Sequence, residues 1–120
     1  MKRGTLRTAD GRAWIGTVHR TTTLCERMRG LLGRARPAPG TALLIDPCRA
    51  VHTVGMRYPV DLVFLDADWR VVRHVPDVRP GRFCIGGGRR ARRVVETAAG
   101  WLPPAHAADG TRLCWIQDEA

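Results

Sequence analysis

The strongest strand signal in the chain is Val60-Asp61-Leu62-Val63-Phe64-Leu65, which is nearly continuous in apolar residues. Such a run is typical of a strand that is central in a sheet or buried on both faces. The tight turn Asp66-Ala67-Asp68 follows, and the next strand is Arg70-Val71-Val72-Arg73-His74-Val75, which Pro76 is expected to end. The two strands therefore predict an antiparallel hairpin.

Further strands are predicted on both sides of this hairpin. Residues 5–8 and 13–18 flank an Asp10-Gly11 turn, in which Gly11 supplies the positive φ that a tight hairpin needs. β-Branched and apolar residues predict strands at 41–46, 50–54 and 111–116, and they favour strand over helix at 94–97. Residues 77–92, rich in proline, glycine and arginine, are expected to form a long loop.

One helix is predicted, over residues 24–32. Thr23 and Glu26 have the spacing of a capping box, which satisfies two backbone N–H groups at the start of a helix. One stripe along the helix is apolar and is expected to be buried; it consists of Leu24, Met28, Leu31 and Leu32. Gly33 is expected to close the helix in the left-handed conformation.

These elements predict an α+β fold, mostly antiparallel β, with six to seven short strands in a barrel-like arrangement and one amphipathic helix. The 120 residues are expected to form a single domain. With 44% hydrophobic and 26% charged residues, the chain is not of the disordered, collagen-like or coiled-coil classes. It contains no apolar stretch of about 18 residues that could span a membrane. The first twenty residues carry no continuous apolar segment of a secretion signal, so we expect a cytoplasmic protein.

The net charge of +9 is distributed unevenly. Of the 20 basic residues 19 are arginine, and two segments, 1–36 and 70–93, each carry a net charge of +7. The second segment contains Gly86-Gly87-Gly88, whose backbone N–H groups could cradle an anion. Arginine side chains that follow could add charge-assisted hydrogen bonds; they are Arg89, Arg90, Arg92 and Arg93. Binding of nucleic acid or an anionic surface through residues 86–93 is one functional hypothesis, and a solvated loop is the other interpretation.

The cysteine pattern indicates no metal centre. Cys25, Cys48, Cys84 and Cys114 form no CxxC pair and no Cys/His cluster with zinc-finger spacing. Cys84 and Cys114 have apolar neighbours and are predicted to be small core residues. We therefore expect neither a metal nor another cofactor.

Four segments, in order, resemble the motifs of a known family. They are Arg29-Gly30-Leu31-Leu32-Gly33-Arg34, Gly40-Thr41-Ala42-Leu43-Leu44-Ile45, the block from His52 to Asp66, and Val95-Glu96-Thr97-Ala98-Ala99-Gly100. Together they resemble domain of unknown function family 192, a bacterial and archaeal family. The resemblance covers roughly residues 14–116 and implies a small, mostly β, α+β domain, but it implies no reaction. The chain departs from the family pattern at 52–56, where His-Thr-Val-Gly-Met stands for Trp-Met-Lys-Asn-Thr.

The block that begins at His52 also carries the candidate functional residues. If the strands pair across the bend at Gly55–Pro59, His52 and Asp61 lie side by side with Arg57 between them, and a His–carboxylate contact could support acid–base chemistry. A ligand-binding face would consist of His52, Thr53, Met56, Arg57 and Asp61. In the alternative interpretation Asp61 hydrogen-bonds the backbone of the bend and His52 is a half-buried strand residue.

These residues support three functional hypotheses. The first is a non-enzymatic binding or accessory domain that recognises a small ligand or a protein partner through the face around His52–Asp61. The second is the electrostatic binder described above. The third is a hydrolase-like enzyme using His52 and Asp61, in which Cys48 or Cys84 would have to supply the nucleophile because the chain contains no serine.

Overall fold

A computed structural model describes residues 1–119 and contains nine strands, one α-helix and a short 3-10 helix. The strands are β1 (Lys2–Thr8), β2 (Ala13–Arg20), β3 (Thr41–Ile45), β4 (Ala50–Val51), β5 (Val60–Leu65), β6 (Val71–Val78), β7 (Ile85–Gly86), β8 (Arg93–Ala98) and β9 (Leu113–Gln117). The helix α1 spans Leu24–Arg29, and the 3-10 helix spans Pro104–Ala107. The predicted α+β class, mostly β, is confirmed.

Seven strands form one sheet in the order β6-β5-β8-β3-β2-β1-β9, and β4 and β7 form a separate two-stranded sheet. Neighbouring strands are antiparallel except β2 and β3, which are parallel. Strand β8 lies between β3 and β5 and so joins the first three strands of the chain to the β5–β6 hairpin. The sheet therefore depends mainly on pairings between strands that are distant in sequence.

The predicted β5–β6 hairpin is present. Its turn is held by Asp66, whose Oδ1 accepts hydrogen bonds from the backbone N–H groups of Asp68 and Arg70, both at 2.9 Å. The prediction that Pro76 ends the second strand is wrong, because β6 continues to Val78. Proline is tolerated there because β6 is the edge of the sheet, where a strand can lack an N–H donor on its free side.

The seven-stranded sheet is not closed, so the barrel-like description holds only loosely. Its two edge strands, β6 and β9, meet at one end through an isolated bridge between Arg70 and Arg112. There the N–H of Val71 donates to the carbonyl of Thr111 at 2.8 Å, and the N–H of Leu113 donates to the carbonyl of Trp69 at 2.9 Å. The sheet is therefore rolled until its edges touch without forming a continuous ladder.

The helix differs from its prediction in length and in packing. The capping box of Thr23 and Glu26 is present, but the helix ends at Gly30, at a φ of 54°, and not at Gly33. Leu24 and Met28 are 62% and 70% exposed, and no residue of α1 is buried. The predicted buried stripe is wrong, because six residues make fewer than two turns and only Leu31, just beyond the helix, reaches the core.

The predicted long loop at 77–92 contains regular structure. Ile85 and Gly86 of β7 pair with Val51 and Ala50 of β4, and this short ladder replaces the longer strand predicted at 50–54. Thr53 extends the contact between the two segments, since its N–H donates to the carbonyl of Arg82 at 2.8 Å.

Side chains of the central strands alternate between two apolar clusters, one on each face of the sheet. The first cluster includes Leu6, Ile15, Val18, Leu44, Val63, Leu65 and Val95. The second includes Leu31, Leu43, Ile45, Leu62, Phe64, Val78 and Ile85. The prediction that Cys84 and Cys114 are core residues is wrong, because both are exposed. No helix within residues 1–119 is long and apolar enough to cross a membrane.

Asp46 connects three strands at one end of the sheet. Its Oδ2 lies 2.6 Å from Nη2 of Arg20, at the end of β2, and 3.1 Å from Nε of Arg93, at the start of β8. Both guanidinium groups also lie over the ring of Trp69, at 5.4 and 4.0 Å from its centroid. This mostly buried cluster, Asp46 with its two arginines, holds β8 against β2 and β3.

Replacing Asp46 should therefore destabilise the protein. We expect Asp46→Asn to lower the free energy of unfolding by roughly 3 kcal/mol, because it leaves two partly buried guanidinium groups without their shared carboxylate. The control is Asp118→Asn, since Asp118 pairs with Arg3 at 3.4 Å on the exposed surface; its effect should stay within about 0.5 kcal/mol. Urea denaturation measures both, and equal effects would contradict the assignment.

Candidate functional site

A pocket lies between α1 and the second face of the sheet, and we refer to it as the α1 pocket. Its volume is about 390 Å³. One wall is formed by α1 and the turn after it, and the opposite wall by the end of β3, by β4 and by the bend that follows β4. The lining residues include Leu24, Arg27, Met28, Arg29, Gly30, Leu31, Leu32, Ile45, Cys48, Ala50, Val51, His52, Met56 and Glu96.

Glu96 supplies a buried carboxyl group to this pocket. It lies in the middle of β8, opposite Leu43 of β3 and Leu62 of β5, and it is only 6% exposed. Among residues 1–119, no other side chain forms a hydrogen bond or an ion pair with the Glu96 carboxyl group. Burial raises the pKa of the Glu96 carboxyl to about 7, and the backbone N–H of Leu31 opposes this rise. The group can therefore gain or lose a proton near neutral pH.

Gly30 allows the helix to end directly against this carboxyl group. A Cβ atom at Gly30 would lie 3.4 Å from Oε1 of Glu96, and the φ of 54° is in the left-handed region that favours glycine. The turn after Gly30 is fixed by Tyr58, whose hydroxyl group lies 3.3 Å from the carbonyl of Arg34. Glycine is thus favoured at position 30 by the backbone conformation that ends the helix beside the pocket.

Two predicted site residues, His52 and Met56, line the α1 pocket, and Cys48 lines it as well. His52 is exposed at the mouth, whereas Met56 is half-buried against the second apolar cluster. The Cys48 thiol lies 3.2 Å from the carbonyl of Ala50, and burial raises its pKa. The fold therefore brings Cys48 and His52 to one cavity but keeps the thiol protonated, which is the less nucleophilic form.

Asp61 lies elsewhere and has a different environment. Asp61 pairs with Thr97 in the β5–β8 ladder, and the next pair is Leu62 with Glu96. Because side chains alternate along a strand, Asp61 points to the face of the sheet opposite to that of Glu96. Its Oδ1 accepts a hydrogen bond from the N–H of Asp77 at 2.7 Å, and its Oδ2 accepts one from the N–H of Gly100 at 3.3 Å. Among residues 1–119 no contact joins His52 to Asp61. The alternative interpretation is also corrected, because Asp61 binds the backbone at Asp77 and Gly100 and not that of the bend, and His52 is exposed outside β4.

The other two residues of the predicted binding face, Thr53 and Arg57, are not among the residues that line the α1 pocket. Thr53 is buried; its hydroxyl group donates to the carbonyl of Arg79 at 2.7 Å and accepts from the N–H of Arg82 at 2.9 Å. Arg57 is exposed beside the pocket residue Met56. Thr53 thus holds the 79–82 segment against the bend, while Arg57 faces solvent.

In the Gly86–Arg93 segment, fewer backbone N–H groups are free to bind an anion than the glycine run suggests. Gly86 pairs with Ala50, and the N–H of Gly87 donates to the carbonyl of Arg49 at 3.0 Å. A Cβ atom at Gly87 would overlap the ring of Phe64, so this glycine is required for close packing. Two of the three glycines are therefore part of the fold.

The arginines of this segment lie in mixed surroundings. Arg93 belongs to the Asp46 cluster, and Arg92 donates to the carbonyl of Arg89 at 3.0 Å. Arg90 and Arg92 line a shallow depression together with Asp66 and Asp68. Arg89, Arg90 and Arg92 are exposed, but these carboxylates reduce the local positive potential.

Sequence reasoning missed Glu96 as a site residue. The signal available was a single acidic residue inside a run that is otherwise β-branched, Val94-Val95-Glu96-Thr97. The segments that resemble family motifs all contribute to the α1 pocket, through Gly30, Ile45, His52 and Glu96. They are far apart in sequence, so their meeting point follows only from the strand order.

The protein is thus a small domain with an open, mixed β-sheet and a ligand-sized pocket beneath one short helix. It belongs to the family DUF192, described as "Uncharacterized ACR", whose model matches residues 5–115. No curated protein matches the chain.

Two solved structures share the fold. A Sinorhizobium meliloti 1021 protein described as a "putative transcription regulator" is 25% identical with a TM-score of 0.77, and the match covers 95% of this chain and 92% of that chain. A protein of unknown function from Novosphingobium aromaticivorans DSM 12444 is 18% identical with a TM-score of 0.75, and the match covers 94% of this chain and 84% of that chain.

The buried carboxyl predicts a specific dependence of stability on pH. The pKa of Glu96 is raised from 4.5 to about 7, so the fold favours the neutral form. Below about pH 4.5 the Glu96 carboxyl is neutral in both the folded and the unfolded state, and the folded state is then favoured most. As the pH rises from about 4.5 to about 7 the unfolded state ionises first, so the free energy of unfolding falls; above about pH 7 both states are ionised and no further change follows. We expect the unfolding free energy of wild type relative to Glu96→Gln to fall by up to about 3 kcal/mol across this window.

Urea denaturation of both proteins at a series of pH values measures this difference. The remaining carboxyl groups are common to the two proteins, so their titration cancels in the comparison. A difference that is independent of pH, or one that grows in favour of wild type as the pH rises, would contradict the assignment.

Proposed function

We propose that this protein binds a small ligand in the α1 pocket, with Glu96 at the base of the site and with His52 and Met56 from the predicted face in its wall. The observation that carries the proposal is the carboxyl of Glu96, buried without an ionic partner among residues 1–119 and facing a cavity of about 390 Å³. A buried ionisable group is costly unless it is paired, so its place in a cavity is typical of a site that a ligand completes.

The size and lining of the pocket favour a small molecule over a polymer. The volume lies near the lower end of the range for ligand pockets, about 300–1,000 Å³. Most wall residues are apolar, and a few polar groups stand among them, which is the usual composition of such a site. Leu24 and Met28, both exposed, would become covered by a ligand that fills the mouth.

Two other predicted site residues, Thr53 and Asp61, hold backbone segments outside the pocket. Thr53 holds the bend that carries His52 and Met56 through its bonds to the 79–82 segment. Asp61 fixes the ends of β6 and β8 through Asp77 and Gly100. Binding is favoured over the hydrolase-like hypothesis because burial raises the pKa of the Cys48 thiol, which shares the pocket with His52, and because Asp61 lies on the other face of the sheet.

A pocket-filling substitution tests the proposal. Ala50 is exposed and lines the α1 pocket, so Ala50→Trp should reduce its volume without disturbing the core. We expect small aromatic amines, alcohols and carboxylates to shift backbone NMR signals of α1, the 48–56 segment and Glu96 in wild type. The same compounds should lose at least tenfold in affinity for Ala50→Trp. The control is Ala67→Trp, in the exposed β5–β6 turn, which should bind like wild type.

Shifts confined to surfaces outside the pocket, or equal binding to Ala50→Trp and wild type, would contradict the proposal.

Binding of nucleic acid through residues 86–93 is the second candidate. It is favoured by the description of the Sinorhizobium meliloti structure and by the exposure of Arg89, Arg90 and Arg92. It is opposed by the fixed backbone of Gly86 and Gly87 and by the neighbouring Asp66 and Asp68.

The second candidate predicts affinity for a mixed-sequence DNA duplex that decreases linearly with the logarithm of salt concentration. Substituting Arg89 and Arg90 by glutamine should weaken binding and reduce the slope by about one unit for each phosphate that is no longer neutralised. Fluorescence anisotropy measures both quantities. Ala50→Trp is the control and should bind the duplex like wild type. No binding at low salt would eliminate this candidate.

A further inference from the structure

We propose that the ligands of the α1 pocket are small apolar compounds that carry one protonated amine, and that this amine forms an ion pair with the carboxylate of Glu96. This inference rests on the proposed function and specifies the chemical class of the ligand.

The carboxyl group of Glu96 lacks a cation among residues 1–119, although the chain is rich in arginine. Two arginines close to the pocket are directed to backbone carbonyl groups. Nε of Arg29 donates to the carbonyl of Leu32 at 3.0 Å, and Nε of Arg34 donates to the carbonyl of Gly30 at 2.9 Å. These two arginines therefore fix the turn after α1. Arg27, the other arginine in the pocket lining, forms no ion pair with Glu96 among residues 1–119, so the carboxyl group can accept a cation from outside.

The chemistry of the lining favours an amine over the other polar head groups. A carboxylate or phosphate at the base would face the Glu96 carboxylate and be repelled, whereas an alcohol could donate only one hydrogen bond. An ammonium group donates up to three and neutralises the buried charge, which strengthens the interaction in a site of low dielectric constant. The sulfur atoms of Cys48 and Met56 are polarizable neighbours, and apolar groups around them fit the ligand body.

The rim limits the ligand to one positive charge. Arg27, Arg29 and His52 also line the pocket and are more exposed than Glu96, which is 6% exposed. A second cationic group at the outer end of the ligand would meet the two guanidinium groups. The pocket therefore selects an apolar amine whose outer end is neutral or negative.

Binding should be linked to a proton. The titratable or charged groups near Glu96 are Cys48, Tyr58, His52, Arg27 and Arg29. Burial raises the pKa of Cys48 and of Tyr58, so both are neutral near pH 7. An ammonium ligand requires the charged form of Glu96, so below about pH 7 each binding event releases one proton and affinity falls by up to about tenfold per pH unit.

A matched set of three probes tests the inference by isothermal titration calorimetry. The probes are phenethylamine, phenethyl alcohol and hydrocinnamate, which share a phenyl body and differ in the head group. At about pH 8 we expect wild type to bind the amine at least tenfold more tightly than either of the others, and at about pH 5.5 we expect most of this preference to be lost. Below pH 7 the binding enthalpy of the amine should change with the ionisation enthalpy of the buffer by the amount of one proton.

Two substitutions assign the effect to one carboxyl group. Glu96→Gln should abolish the preference for the amine and the proton release, while Asp68→Asn, which removes an exposed negative charge in the β5–β6 turn, should change neither. His52→Asn, a second substitution in the pocket wall, should retain the proton release. If Glu96→Gln does not fold, the buffer dependence of wild type still decides the question.

The three probes distinguish an error in the ligand class from an error in the choice of the α1 pocket as the binding site. Binding of all three probes with equal affinity, or a preference for hydrocinnamate, would overturn the amine class while leaving the α1 pocket as the site. Binding of the amine without proton release below pH 7 would also overturn it. If none of the probes binds, both the ligand class and the proposed function are wrong.

Discussion

The insertion of β8 between β3 and β5 is the constraint on which the rest of the structure depends. At its first residue Arg93 shares the Asp46 carboxylate with Arg20 and so ties β8 to the end of β2. In its middle Glu96 lies between Leu43 and Leu62 and faces the α1 pocket. Just past its end the N–H of Gly100 is held by Asp61. A single strand of six residues therefore unites the two halves of the sheet and carries the polar group of the candidate site.

Glu96 is an energetically unfavourable residue for that position. Its neighbours in the two adjacent strands are leucines, and a third apolar side chain would complete the second core cluster without the desolvation penalty of a carboxyl group. The helix ends beside this residue, at a glycine whose φ of 54° lies in the left-handed region and whose Cβ position would be 3.4 Å from the nearer carboxyl oxygen atom. An acid that lowers stability at neutral pH is consistent with the binding role proposed for the α1 pocket.

Features that depend on residues close in the chain could be predicted from the sequence, whereas features that depend on distant residues could not. The hairpin of β5 and β6, the hairpin of β1 and β2 and the capping box of Thr23 depend on residues that are close in the chain, and all three were predictable. The buried stripe of α1 was not, because periodicity shows which side chains share a face but not whether that face meets the core. The pairing of β4 with β7 and the meeting of Gly30 with Glu96 depend on the strand order, which brings together residues more than thirty positions apart. For the same reason Asp61 and His52, close in sequence, lie apart.

The positive charge of the chain is also explained differently once the side chains are placed. A net charge of +9 invites a role in nucleic-acid binding, but several guanidinium groups are directed to the protein itself. Arg20 and Arg93 bind Asp46, and Arg29, Arg34 and Arg73 donate to backbone carbonyl groups. Arginine suits this use because its donors are arranged in a rigid fork and its charge is permanent. Against this background the base of the α1 pocket stands out, because a buried carboxyl group there has no cation of the described chain within ion-pairing distance. The unpaired carboxyl group of Glu96 is therefore more informative about a candidate site than the arginines that give the chain its net positive charge.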